Sequence, residues 1–280
     1  PLKCKFTLNG LNLTSTKGAA IDIQCGKRVD LILPDGTQNV LEDAAGGLQK
    51  AALYCKGHLE IEGGGSLTVS GNTRHAIASK EYMQLKKSTG NIVIKKAAGD
   101  AVHMGQYLLM NGGSITFDEN TACDGIQVET MLLDDNITPD PSKEENGKIF
   151  INGGSINGVI AHEDYEGIKN DDGDVFISGG TIRILANGNG SRGIQTDGNM
   201  TITADAGNTN IYVEANGGLC TDPADSVDPH RCMGIKVGQN LTITGGTIQV
   251  KATGNKARSI RVNGVYSNTG GNVDAIISQP

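Results

Sequence analysis

Eight short segments of the chain share one alternation of apolar and polar positions. The first is Ala52-Leu53-Tyr54-Cys55 and the last Ser259-Ile260-Arg261-Val262, and the shared aliphatic residue falls at 53, 77, 102, 126, 168, 194, 235 and 260. Five of the intervals are 24 to 26 residues. The two long ones, 42 and 41, equal one unit plus an insertion of about 16 residues. A second alternating pair follows closely, as at Leu59/Ile61, Met83/Leu85, Leu108/Met110, Val175/Ile177, Met200/Ile202 and Leu241/Ile243. After a Gly-Gly-Ser or Gly-Gly-Thr turn comes a third, such as Ile115/Phe117, Ile182/Ile184 and Ile248/Val250. Period-two alternation marks strands, and glycine corners tolerate the positive φ of tight turns. Three such strands cannot bury their apolar faces alone. Units stacked about 4.8 Å apart enclose a continuous column of Ile, Leu and Val. The pattern predicts an all-β solenoid, a parallel β-helix with three short strands per coil.

One domain is expected over residues 1–280. Residues 1–50 read as irregular opening coils, with Leu11/Leu13, Ile21/Ile23 and Leu31/Leu33 alternating and a Pro34-Asp35-Gly36 turn. Residues 268–280 read as a cap, because an open last coil presents unpaired strand edges. The insertions lie near 134–147 and 217–231, and both are acidic. Each is expected after the second or third strand of its coil, where it either walls a groove, binds cations or is variable decoration.

Composition sharpens this picture. The 40 glycines among 280 residues are roughly twice ordinary usage, but they lack the three-residue period of collagen. Hydrophobic residues, at 37%, are spread through every segment, which excludes disorder. No run approaches the roughly 18 apolar residues of a membrane-spanning helix. A net charge of −7 argues against a nucleic-acid binder. Cys220 and Cys232 bracket a loop rich in Asp and Pro, which reads either as a disulfide in an oxidising compartment or as separate thiols. Cys55 and Cys123 suit core thiols, and no pairing is assigned to Cys4, Cys25, Cys55 or Cys123. No leader peptide is visible at Pro1, which reads as the start of a mature or trimmed form.

In a solenoid, chemistry is read down columns one coil apart. Two places before the shared aliphatic residue the column is His75, Asp100, Asp124, Glu166, Arg192, Met233 and Arg258. Stacked carboxylates repel one another unless a cation lies among them. Asp100, Asp124 and Glu166 are therefore candidate Ca²⁺ ligands, since that ion takes six to eight oxygens with loose geometry; the alternative is a solvated corner with Arg192 neutralising Glu166. One place after the aliphatic residue, the column runs His103, Gln127, Lys169, Gln195, Lys236 and Arg261. Amides bond hydroxyls and cations pair with carboxylates, so this stripe suits an extended acidic polymer, though outward positions are polar in any β-helix. Asp174, Asn199 and Asn240 form a third column, expected to be a structural ladder. The run Asn170-Asp171-Asp172-Gly173-Asp174 lacks the distant Glu and flanking helices of an EF-hand.

The run Ala51-Ala52-Leu53-Tyr54-Cys55-Lys56-Gly57-His58-Leu59-Glu60-Ile61, followed by Gly63-Gly64-Gly65-Ser66-Leu67-Thr68-Val69, resembles the opening coil of a bacterial right-handed β-helix family. That family is pectate-lyase-like in fold and binds plant cell-wall polysaccharides with bound calcium. The later Gly-Ile-Lys and Gly-Gly-Thr-Ile elements are similar to it too, and the resemblance covers roughly residues 10 to 270. Its acid before Gly-Ile is matched by Asp124 and Glu166, and by Asp100 before Ala-Val; Arg192, Met233 and Arg258 depart from it, as does His58. The resemblance implies a monomeric, secreted, periplasmic or surface-attached bacterial protein that binds acidic polysaccharide such as polygalacturonate, with calcium and without catalysis. Two alternatives stay open. One is a pectate-type lyase using Arg192 or Lys169 as base, and the other is an adhesin or structural solenoid.

Overall fold

The computed structural model describes residues 4–220 and 230–279. Among them are three parallel sheets of ten strands each, and the chain visits them in strict rotation. Sheet 1 holds the strands of the Leu53 register: Ile21–Ile23, Ala51–Cys55, His75–Ser79, Val102–Met104, Ile126–Val128, Glu166–Asn170, Arg192–Thr196, Met233–Val237, Arg258–Val262 and Ile277–Ser278. Sheet 2 runs from Cys4–Thr7 to Tyr266–Asn268, and sheet 3 from Asn12–Thr14 to Asn272–Asp274. This is the predicted parallel β-helix, with about ten turns. No helix among the described residues is long and apolar enough to cross a membrane.

Every aliphatic residue of the shared register pairs with its equivalent one coil on, as Leu53↔Ile77, Ile126↔Ile168 and Ile194↔Ile235 show. These residues are wholly buried, and with the inward residues of sheets 2 and 3 they form one core. Directly before that register stand Gly125, Gly167, Gly193 and Gly234. At Gly193 and Gly234 a Cβ would run into the Val213 and Val250 side chains of sheet 3. Close packing, rather than backbone conformation, explains the Gly-Ile dipeptide at these positions. The second glycine of several turns is different: Gly154, Gly180 and Gly246 have φ of 85°, 92° and 88°, the left-handed region that glycine tolerates.

Residues 1–50 form opening coils of the same solenoid, paired in register within all three sheets, as in Cys4↔Val29, Asn12↔Val40 and Ile21↔Leu53, and the last two pairs span 28 and 32 residues. Two expectations need correction. Residues 268–279 do not cap the helix but complete its last coil, with Asn272–Asp274 and Ile277–Ser278 pairing onto the coil before. The first insertion follows the first strand of its coil, lying between Ile126–Val128 and Lys148–Ile151. It is pinned by Lys143 to Glu81 at 2.9 Å and by Gln106 Nε2 to the Glu144 carbonyl at 2.7 Å. The second insertion does follow a third strand. Its described part forms a small antiparallel hairpin, Leu219–Cys220 with His230–Arg231, while Asp222, Asp225 and Asp228 lie outside the described residues.

Cys220 and Cys232 are not bonded to each other. Cys232 turns into the core and donates to the Ala186 carbonyl, whereas Cys220 Sγ lies 3.7 Å from Glu163 Oε2. The cysteine argument for an oxidising compartment falls with that bridge.

Candidate functional site

The column His75, Asp100, Asp124, Glu166, Arg192 is a continuous ladder on sheet 1, and its members are buried at 7% exposure or less. Each side chain from His75 to Asp124 receives the backbone N–H of the next coil. The Asp100 N–H donates to His75 Nδ1 at 3.1 Å, the Asp124 N–H to Asp100 Oδ1 at 3.1 Å, and the Glu166 N–H to Asp124 Oδ1 at 2.7 Å. The second carboxylate oxygens face cations. His103 Nδ1 lies 2.8 Å from Asp100 Oδ2, Lys169 Nζ lies 3.4 Å from Asp124 and 3.7 Å from Glu166, and Arg192 closes the column on Glu166. Arg192 also reaches Asp164 at 3.1 Å.

These contacts set the charges. Burial pushes the Asp100 carboxyl up, but the hydrogen bond from His103 outweighs it and holds the group far below the usual carboxylate range. Burial lowers His103, yet Asp100 and Glu129 together lift it to about 9. Burial and the charge of Glu166 push Asp124 up to about 8, against the pull of Lys169. Burial opposes the charge on Lys169, but Asp124, Glu166 and Asp171 raise it well above a free lysine.

Asp100, Asp124 and Glu166 are thus brought together as the sequence predicted, but their oxygens are already engaged by backbone N–H groups and cations. The Lys169 ammonium occupies the place between two of them. A Ca²⁺ ion needs six to eight oxygens at roughly 2.3–2.6 Å, and this donor set does not fit it while Lys169 stands there. Arg192 and Lys169 do not fit the role of a lyase base either. Arg192 is buried in ion pairs, and Lys169 is held protonated by three acids.

The outward stripe forms one aligned column: His103↔Gln127, Gln127↔Lys169, Lys169↔Gln195, Gln195↔Lys236 and Lys236↔Arg261. Beyond His103 it is engaged internally. Gln127 Nε2 reaches Asp171 at 3.4 Å, Lys236 lies 3.8 Å from Asp197, Arg261 Nε donates to Asn263 at 3.1 Å, and Gln195 is buried at 7% exposure. Of the six predicted contact residues only His103 lines a cleft described here.

That cleft lies on the N-terminal half of sheet 1. It measures about 400 Å³ and adjoins a second of about 340 Å³, the two sharing Lys50, Tyr54 and Lys80. The floor carries Tyr54, His75, Ala78 and His103, and Met131, Leu132 and Asn136 of the first insertion wall one side. Lys50 and Arg74 stand just before the strands Ala51–Cys55 and His75–Ser79, and Lys56 and Lys80 just after them. All four are exposed, and among the described residues none of them forms an ion pair, in contrast to Lys169 and Lys236. Sequence reasoning missed this quartet. Its signal was present in Lys-Ala-Ala-Leu-Tyr-Cys-Lys and Arg-His-Ala-Ile-Ala-Ser-Lys, two strands bracketed by cations at one register.

Aromatic rings concentrate on sheet 2 instead. Tyr82 stacks on Tyr107 at 4.5 Å and Phe150 on Phe176 at 5.1 Å, nearly parallel at 17° and 8°. Rings stacked up the coil axis cover each other's faces and present edges to solvent. Sugar stacking needs an open face, so these ladders serve the scaffold.

Fold and face together define a parallel β-helix with an unpaired cationic trough on one sheet. The chain belongs to the family described as carbohydrate-binding domain-containing proteins, whose profile matches residues 2–279. A protein of that description from Acetivibrio thermocellus is 35% identical over 98 residues, which cover 32% of this chain and 34% of that protein. The match therefore spans about a third of that relative's length. Among solved structures the chain is similar to the polysaccharide lyase-like protein from C. thermocellum, a gadolinium derivative, with a TM-score of 0.56, 26% identity and 75% of each chain covered.

Proposed function

We propose that this protein binds an acidic, uronate-containing polysaccharide in the trough on sheet 1, without cleaving it. The observation that carries the reading is the unpaired quartet Lys50, Lys56, Arg74 and Lys80 around Tyr54, in a chain whose other sheet 1 cations are largely neutralised by its own acids. Guanidinium and ammonium groups pair with carboxylates, and the cleft walls lower the local dielectric. The cations of the trough are side chains, so we propose that the ligand is held there directly and needs no bridging calcium. A polymer of this kind is met outside the cytoplasm, and we place the protein there.

Retention on polygalacturonate tests the reading. Three exposed ion pairs at roughly 0.5 kcal/mol each amount to about 1.5 kcal/mol, so Lys50→Ala/Arg74→Ala/Lys80→Ala should weaken binding about tenfold. Binding should survive a calcium chelator and fade toward 1 M salt, where charges are screened within about 3 Å. Wild-type affinity in the triple variant would sink the trough. Unsaturated product appearing during the incubation would replace binding alone with a lyase.

A further inference from the structure

The four cations of the trough fall into two pairs, one at each side of sheet 1. Lys50 and Arg74 directly precede the paired residues Ala51↔His75, and Lys56 and Lys80 directly follow Cys55↔Ser79. Partners within a pair are one coil apart, about 4.8 Å, whereas six extended residues set the two pairs about 20 Å apart at the backbone. Along the coil axis the cations stop. One coil further on, the positions equivalent to Arg74 and Lys80 are Gly99 and Gly105.

The axial ends of the trough carry acids. Towards the first coil, exposed Asp22 stands beside Tyr54 in the sheet and lines the cleft. Towards the later coils stands exposed Glu129, whose carboxyl is held below its usual range by His103 at 3.6 Å. Met131 and Leu132 of the first insertion rise beside it, and the Met131 backbone is fixed by two hydrogen bonds of 2.9 Å with the Asn146 amide. Across the sheet the way is open. Glu81, next to Lys80, is taken up by Lys143 at 2.9 Å, and Asp43, before Lys50, is 2% exposed and bonded by Gln49.

We propose, resting on the polysaccharide reading above, that the trough takes an internal stretch of acidic chain crosswise, along the strands of sheet 1. A chain laid along the axis passes over Asp22 and Glu129 and runs into the insertion. A crosswise chain meets a cation pair at each side and leaves freely at both. Charge placement of this kind fixes the register of a bound partner more than its affinity. The ligand class narrows to uronate oligomers long enough to bridge both pairs, since a shorter one engages a single pair and gains nothing from the second.

Calorimetric titration with oligogalacturonides of increasing length tests this, together with photo-cross-linking of an end-labelled oligomer of bridging length. Affinity should step up about fivefold once the oligomer reaches the second pair, the worth of two added exposed ion pairs. Lys50→Ala/Arg74→Ala and Lys56→Ala/Lys80→Ala should each abolish the step. In the wild type, cross-links should fall on Leu48 and Gln49 at one side and on Gly57 and His58 at the other. Binding without a step, a step that survives in either pair variant, or cross-links on residues 19–24 or 131–136 would overturn the crosswise path and leave polysaccharide binding standing. No binding at any length would sink the polysaccharide reading and this inference with it.

Discussion

Asp124 is the member of the ladder whose replacement separates two roles. Its Oδ1 accepts the Glu166 N–H at 2.7 Å, and its Oδ2 faces Lys169 at 3.4 Å. Asp124→Ala removes the acceptor and strands a buried N–H, a loss of roughly 1–3 kcal/mol. Asp124→Asn keeps the acceptor and removes the charge. Burial and Glu166 push Asp124 up to about 8, far above an ordinary Asp near 3.9. Between about pH 4 and about pH 8 the folded state therefore holds a proton that the unfolded chain has already released. A raised carboxyl makes wild-type stability fall as pH rises through that window, by at most about 1.4 kcal/mol per pH unit, while the Asn variant is spared. Denaturant unfolding at about pH 4 and about pH 8 should thus find Asp124→Asn close to wild type at the lower pH and relatively more stable at the higher, with Asp124→Ala below Asp124→Asn at both. A difference between Asn and wild type that stays flat with pH would mean that Lys169 keeps Asp124 ionised throughout, and would refute the argument.

Other expectations follow from the same geometry. Gly193→Ala drives a Cβ into Val213 and should cost about 1–3 kcal/mol by overpacking, read from thermal unfolding; a neutral result would contradict the close-packing account of Gly-Ile. Ile194→Ala, at a wholly buried position in a central coil, should cost about 2–5 kcal/mol in the same assay. Asn199→Ala cuts the ladder in which Asn199 donates to Asp174 at 3.1 Å and accepts from Asn240 at 3.0 Å, and should cost about 1 kcal/mol with glycan binding intact.

Much of the coil was legible in the sequence because period-two alternation and a coil-length repeat leave one way to bury Leu53, Ile77 and their successors. The columns were legible for the same reason: once the register is known, His75, Asp100, Asp124 and Glu166 must stack. The neutralisation of those acids was not. Lys169 reaches back to Asp124 of the preceding coil, and Arg192 extends to Asp164 in a turn, contacts that depend on side-chain reach rather than spacing. The trough escaped because its cations sit just outside the strands, at Lys50, Lys56, Arg74 and Lys80, where alternation carries no signal. Its wall comes from an insertion expected after the second or third strand of its coil, which departs after the first.

The quartet Lys50, Lys56, Arg74 and Lys80 lies on the second and third coils only, which makes sheet 1 asymmetric along the coil axis. Ten coils at about 4.8 Å give a rod of nearly 50 Å, carrying a net charge of −7. On the proposed function, a polyanion is drawn to those early coils of sheet 1. Binding there would leave the C-terminal coils beyond the polymer as a stand-off of fixed length.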